Sequence, residues 1–159
     1  MLKFPLLAAL LLAVSCAPNQ DAADPAAQVE GFHRLYNDGQ LESLYAGLGE
    51  NLAHETRDGI FAELMNGVRS RLGQVRSTTS RGVRRFEEPG TYRALVVYQD
   101  TRFERGAAHE EFVYDIGDDG RLTLAGYRVR TPDGFDTLMG NLAEVLEDRA
   151  AAREGNSSR

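Results

Sequence analysis

Residues 91–103 read TYRALVVYQDTRF, and apolar and aromatic side chains occupy the four consecutive positions 95–98. Side chains of this kind favour the extended backbone of a buried strand. Arg105-Gly106 follows as a turn, and residues 109–116 then carry an apolar or aromatic side chain at every second position from Phe112. This alternation predicts a second strand with one buried face, joined to the first as a hairpin.

Two further strands flank this hairpin in the sequence. Residues 74–86, rich in Thr, Val and Arg, precede it and end at a turn of Glu, Pro and Gly at 88–90. Residues 122–129 follow it, after a turn of Gly and Asp at 117–120. Because every connection is short, we expect consecutive strands to pair as a four-stranded antiparallel meander.

Helical periodicity marks the segments on either side of this predicted sheet. Asp24 is a typical N-cap before a proline, and the first helix is expected to end at Gly39. A second, short amphipathic helix is predicted over residues 41–48. A third is expected to begin at a cap on Thr56 and to end just before Gly73.

A last helix is predicted over residues 133–149, and the tail 150–159 is expected to fray. The apolar stripe of this helix recurs at helical spacing through Phe135, Leu138, Met139, Leu142, Val145 and Leu146. We therefore expect one α+β domain over residues 25–149. Its N-terminal helices would cover one face of the four-stranded sheet, with the C-terminal helix as an addition.

Several short motifs are distributed over these elements. They are Phe32-x-x-Leu35-Tyr36 with Gly39, Leu44-Tyr45, Arg71-Leu72-Gly73, Gly90-Thr91-Tyr92, and Gly120-x-Leu122 followed by Gly126-Tyr127. Together with the order of elements, they make residues 26–130 resemble the cone-shaped superfamily of nuclear transport factor 2 and the ketosteroid isomerases. The resemblance is greatest to small bacterial envelope domains of unknown function. It implies a pocket between helices and sheet, where some members catalyse proton transfers with Tyr, Asp or His.

The N-terminus is typical of a secretion signal. Lys3 is the only charged residue among the first twenty, and the wholly apolar run that follows, residues 4–14, is eleven residues long. A membrane-spanning helix needs about 20 apolar residues, whereas this length suits a signal-peptide core. The run leads into AVSC at residues 13–16, which resembles a bacterial lipobox. The resemblance implies removal of residues 1–15 and lipidation of Cys16; the alternative is an ordinary signal peptide with a chance cysteine.

The lipidated form is the one that we expect, because the single cysteine of the chain falls at the predicted cleavage point. Two or more acyl chains hold a protein stably to a membrane. By the same resemblance, Ala17 carries no inner-membrane retention signal, so the expected location is the periplasmic face of the outer membrane, if the host has one. Residues 16–24 would then be a flexible linker, and the expected partners are the membrane and an envelope protein.

Composition excludes several other classes of protein. One cysteine rules out an internal disulfide framework and a cysteine-based zinc finger. With 18 Lys+Arg against 24 Asp+Glu and a net charge of -6, the chain is not a general nucleic-acid binder. His33, His54 and His109 lie in different predicted elements without metal-ligand spacing. We expect neither a metal site nor a cofactor.

Candidate acid–base residues are few. The isomerase resemblance directs attention to Tyr98, His109, Glu111 and Tyr127, which an isomerase or cyclase would gather in one pocket. The competing interpretation treats the two tyrosines as packing residues. It places His109, beside Glu110 and Glu111, at a solvated strand edge. We favour the second interpretation, and with it a protein that is not an enzyme.

One stretch of the chain is strongly basic. Between Glu63 and Glu87 there is no acid, and the segment contains Arg69, Arg71, Arg76, Arg81, Arg84 and Arg85. The favoured interpretation is a solvated helix end followed by an edge strand whose charges prevent edge-to-edge pairing. The alternative is that Arg76, Arg81, Arg84 and Arg85 contact anionic groups or an acidic partner. The sequence thus predicts a lipid-anchored, non-catalytic binding or structural module for a partner protein or a small apolar or anionic ligand.

Overall fold

The computed structural model describes residues 24–88 and 92–140, and within them four helices precede five strands. The helices are α1 (Pro25–Asp38), α2 (Leu41–Ala46), α3 (Glu50–Glu55) and α4 (Ile60–Leu72). The strands are β1 (Val75–Glu88), β2 (Tyr92–Phe103), β3 (Gly106–Ile116), β4 (Leu122–Arg130) and β5 (Asp136–Gly140). The predicted signal peptide, Cys16, most of the linker and the tail lie outside the described residues.

The strands form one sheet in the order β1-β2-β3-β4-β5, and every neighbouring pair is antiparallel. The α+β class and the antiparallel meander are therefore confirmed, with one strand more than predicted. β3 is the central strand and β1 is an edge strand. No helix in the described part of the chain has the length and apolar character needed to span a membrane.

The first helix begins and ends at the predicted residues. Asp24 Oδ1 accepts a hydrogen bond of 2.9 Å from the backbone N–H of Ala26, and Pro25 occupies the first turn, where its missing N–H costs nothing. At the other end Gly39 adopts φ 71°, and its N–H bonds to the carbonyls of Leu35 and Tyr36. A left-handed glycine of this kind closes the last turn of a helix.

The connection between α2 and α4 differs from the prediction. It contains the additional helix α3. The residue before this helix, Gly49, donates a hydrogen bond of 2.8 Å from its N–H to the Leu124 carbonyl of β4. Thr56 was expected to cap the next helix. Its hydroxyl instead donates a hydrogen bond of 2.6 Å to the Leu52 carbonyl in α3. A threonine hydroxyl can donate to the carbonyl four residues earlier, and here it forms that bond in place of the expected cap. Gly59, at φ 87°, precedes α4.

The two faces of the sheet have different surroundings. On the inner face, which the helices cover, the main core joins α1 and α4 to alternate strand residues; its members include Val29, Phe32, Tyr36, Phe61, Met65, Val68, Leu95, Val97, Phe112, Tyr127, Val129 and Met139. Burial of this apolar surface is the dominant favourable term in folding. The opposite, outer face carries a smaller cluster of Ala94, Val96 and Val113, with Phe86, Tyr98 and Ala125 packed against it.

The predicted C-terminal helix over residues 133–149 is wrong in its first part. Residues 136–140 form β5, which pairs antiparallel with β4 from Arg130–Asp136 to Gly126–Gly140. The preceding Pro-Asp-Gly sequence is a turn signal, and it reverses the chain with Gly134 at φ 92°. The helical stripe misled because Met139 also suits the inner face of a strand, and pairing satisfies the exposed backbone of β4. Residues 141–149 lie outside the described part.

Gly73 links α4 to β1 in a conformation that other residues avoid. Its φ is 79° and its ψ is -155°, and an added Cβ would lie 2.4 Å from Glu104 Oε2 and 2.8 Å from Glu104 Cβ. Backbone of this kind is nearly restricted to glycine and costs about 1–3 kcal/mol for other residues. Gly73→Ala should therefore lower the free energy of unfolding in urea by about 2 kcal/mol or more, with the clash added to the strain.

Gly67 provides the matched control for this prediction. It lies inside α4, and an added Cβ there would meet no atom within 4 Å. Gly67→Ala should raise the free energy of unfolding by about 0.5–1 kcal/mol, because alanine restricts the unfolded chain more than glycine does. Equal effects of the two substitutions would contradict the special role of Gly73.

Candidate functional site

The strand register separates the four candidate acid–base residues. Tyr98 on β2 lies directly opposite Glu111 on β3, and His109 lies two residues before Glu111, so these three share the outer face. Tyr127 on β4 lies on the inner face, and its hydroxyl donates to Glu110 Oε1 at 2.5 Å. The four side chains therefore do not meet in one pocket between helices and sheet.

A polar cleft opens on the outer face where β1 to β4 lie side by side. It measures about 270 Å³, and its lining residues are Arg81, Tyr98, Gln99, Asp100, His109, Glu110, Glu111 and Arg130. A second cleft of about 340 Å³ shares Asp100 and His109 with it and extends towards Thr79 and Pro132. We call the first of these the outer cleft.

Asp100 is the centre of one half of the outer cleft. Its Oδ1 lies 2.5 Å from His109 Nδ1, and its Oδ2 accepts a hydrogen bond of 3.1 Å from Arg81 Nη1. The hydrogen bond from His109, aided by the charge of Arg81, holds the pKa of the Asp100 carboxyl below its ordinary value. The carboxylate thus fixes one imidazole and one guanidinium at the rim.

Glu111 is the centre of the other half. Its Oε1 accepts a hydrogen bond of 3.0 Å from Arg130 Nη2, whereas its Oε2 is buried and has no hydrogen-bond partner among the described residues. The expected solvated strand edge is wrong here, because β3 is the central strand and both Glu110 and Glu111 are buried. His109 alone of the three projects into solvent.

The four arginines proposed as an anion or partner contact do not act as one group. Arg76 pairs with Glu104, and Arg85 pairs with Glu87 at 3.0 Å. Arg85 stands opposite Leu95, on the inner side of the sheet, whereas Arg84 stands opposite Val96 on the outer side. Arg84 makes no ion pair with any residue that the structure describes. Of the four, only Arg81 reaches the outer cleft.

The inner face holds a buried polar cluster that the sequence analysis missed. Glu110 is 1% exposed. Its Oε2 lies 2.9 Å from His33 Nε2 and accepts from the Thr101 hydroxyl, while its Oε1 accepts from Tyr127. The cluster joins α1 to β2, β3 and β4. A signal was present, because Glu110 precedes Phe112 by two positions and so must share its face.

Aromatic rings surround this cluster and fill the space between α1 and the sheet. The Phe32 and Phe112 ring centroids are 5.2 Å apart, and those of Phe112 and Tyr127 are 5.0 Å apart. Burial, reinforced by the Glu110 charge and hydrogen bond, raises the pKa of Tyr127 well above its ordinary value. Tyr127 is thus held neutral as a hydrogen-bond donor in the core.

Among the residues that the structure describes, no group of three or more His, Cys, Asp or Glu side chains could hold a metal ion. No protein-family model, curated protein or solved structure matches the chain. The resemblance to the nuclear transport factor 2 superfamily accordingly stays a prediction.

Proposed function

We propose that the chain is a lipid-anchored protein of the cell envelope that binds its ligand on the outer face of the sheet and does not transform it. The observation that carries this proposal is the convergence of the Arg81, His109 and Arg130 side chains on one cleft, each set against a carboxylate. Such pairing orients donors for recognition. The anchor rests on the lipobox-like sequence that ends at Cys16.

The pairings in the cleft favour binding over proton transfer. A general base must have a lone pair within reach of a substrate proton. Glu111 Oε2 is buried, Glu111 Oε1 accepts from Arg130, and both oxygens of Asp100 accept from neighbours. Of the other candidates, His109 has its Nδ1 engaged with Asp100, and Tyr127 serves the buried cluster on the other face.

The anchor predicts a clear change in membrane partition. Each buried acyl CH₂ contributes about 0.8 kcal/mol, so removing the acylated residue should release the protein. Cys16→Ser should move most of the chain from the membrane to the soluble fraction and remove the lipid mass seen by mass spectrometry. Ala17→Asp is the matched control, since it should keep the lipid mass and shift the protein towards the inner membrane. Unchanged partition and mass for Cys16→Ser would refute the anchor.

The binding surface can be tested by site-specific photo-crosslinking of the full-length protein in its own envelope. A photoreactive residue at Thr79, on the outer face beside Asp100, should give defined adducts. The same residue at Asn66, exposed on α4, should give none of these adducts. Identical adduct patterns from the two positions would show that the outer face is not the recognition surface.

A further inference from the structure

In the outer cleft the carboxylates already accept hydrogen bonds, whereas most N–H groups of the arginines do not donate to a described acid. This difference between acceptors and donors indicates a ligand class. Both oxygens of Asp100 are occupied, one by His109 and one by Arg81. A carboxylate that already balances these two side chains attracts a further cation less strongly than an unpaired carboxylate would. Asp100 is therefore placed to orient the His109 and Arg81 side chains.

Glu111 is likewise closed to the cleft. Its side chain is only 10% exposed, one oxygen accepts from Arg130, and the other is buried beneath the surface. A cation or an amine would need an accessible carboxylate oxygen, which Glu111 does not present. Each carboxylate oxygen of the cleft thus either already accepts a hydrogen bond from a neighbouring side chain or lies buried.

The donors, by contrast, are mostly unused. A guanidinium carries five N–H groups, and Arg81 and Arg130 each direct one nitrogen to an acid among the described residues. Their side chains remain 64% and 46% exposed. The cleft therefore presents free donors held in place by buried or paired acids, and its natural ligand is an acceptor.

We propose that the outer cleft binds an oxyanion, a carboxylate or a phosphate, through Arg81 and Arg130, with Asp100 and Glu111 as positioning residues. Planar guanidinium forks match both anions in two-bond geometry. A space of about 270 Å³ is near the lower limit of small-molecule sites and suits a single acidic group on a sugar, lipid or peptide. This inference rests on the proposed binding function and specifies its chemistry.

The local charges explain why geometry, and not net charge, would drive binding. The two arginines are balanced by Asp100 and Glu111, and the whole chain carries -6. Long-range attraction of an anion is consequently weak. Affinity must come from short, directed N–H bonds, which a lysine ammonium cannot reproduce as a fork.

The test is calorimetric titration of the full-length protein in phosphatidylcholine nanodiscs with inorganic phosphate and with acetate. Arg81→Ala and Arg130→Ala should each weaken binding at least about tenfold, the usual effect of losing a charged hydrogen bond. Arg130→Lys should lose most of the affinity as well. The control is Arg85→Ala, on the same strand as Arg81 but on the other face and 53% exposed, which should leave binding unchanged.

The positioning role of Asp100 and a simple electrostatic role predict opposite changes in anion affinity when its charge is removed. Asp100→Asn removes a negative charge, so a purely Coulombic site would bind anions more tightly. If Asp100 orients Arg81, the same change should weaken binding several-fold, and Asp100→Glu should restore part of it. Tighter binding by Asp100→Asn would overturn the positioning assignment. Urea midpoints for each variant separate loss of binding from loss of folding.

Two results would overturn the oxyanion proposal as a whole: no saturable binding of either anion, or equal weakening by Arg85→Ala and Arg81→Ala. Adducts at Thr79 without anion binding would keep the proposed function and remove only the ligand class. Replacing phosphatidylcholine by phosphatidylglycerol identifies the source. Weaker apparent phosphate binding assigns the oxyanion to a lipid headgroup, and unchanged binding assigns it to a soluble or polymeric ligand.

Discussion

Replacing Glu110 by alanine is expected to lower the free energy of unfolding by about 3–5 kcal/mol, the usual cost of breaking a buried charged or polar network. Glu110 accepts hydrogen bonds on its two oxygens from Thr101 and Tyr127 and pairs with His33. Its removal leaves three buried polar groups without a partner and a cavity among them. Urea denaturation of soluble Cys16→Ser protein would measure the change.

Glu87 provides the control for this substitution. It is a glutamate on a strand and pairs with an arginine, Arg85, but its side chain is 56% exposed. Exposed pairs of this kind contribute little, so Glu87→Ala should stay within about 0.5 kcal/mol of the parent. If Glu110→Ala proved as mild as Glu87→Ala, the buried cluster would not be what joins α1 to the sheet.

The second large effect is expected at alkaline pH. Burial raises the pKa of Tyr36, Tyr114 and Tyr127, and the charge of Glu110 adds to the shift. In the unfolded chain these phenols ionise near pH 10, so above that pH the unfolded state has lost protons that the folded state keeps. Stability is thus fully present below about pH 10 and falls as pH rises, by up to about 1.4 kcal/mol per unit for each tyrosine.

The composition leaves few groups other than tyrosine that titrate at alkaline pH. The chain has a single lysine, Lys3, and arginine does not titrate in this range. In a Cys16→Ser background, urea curves from pH 8 to 11 therefore report on tyrosines. Tyr114→Phe should reduce the alkaline slope by about one residue's share, since its ring stays packed. A free energy of unfolding that stays flat to pH 11 would contradict the buried state of these three side chains.

The order of elements could be predicted because it depends on local rules. The aromatic and β-branched residues of β3, the cap at Asp24 and the left-handed Gly39 each act within a few residues, although β3 is buried on both faces over residues 110–114 and not on one face as its alternation predicted. The C-terminal error shows the limit of such rules. A 3–4 spacing at Phe135, Leu138 and Met139 satisfied a helix, but pairing with β4, a long-range contact, decided the outcome.

The candidate site was predictable only in part, for a similar reason. Period-two alternation puts Glu110 on the same face as Phe112, so its burial could have been inferred. Its pairing with His33, 77 positions away, could not. Arg81 was predicted as a possible anion contact. That it shares a cleft with Arg130 depends on the register of four strands. Charge runs in a sequence do not reveal which arginines are neutralised by neighbours.

We propose that the two faces of the sheet have different roles: the inner face holds the fold, and the outer face binds an oxyanion. Amide chemical shifts of the full-length protein, followed during titration with inorganic phosphate, test it most directly. We expect saturable shifts near residues 80–82, 98–100, 109–111 and 128–130, with α1 and α4 unaffected. Shifts confined to the helices, or no saturable shifts at all, would contradict it.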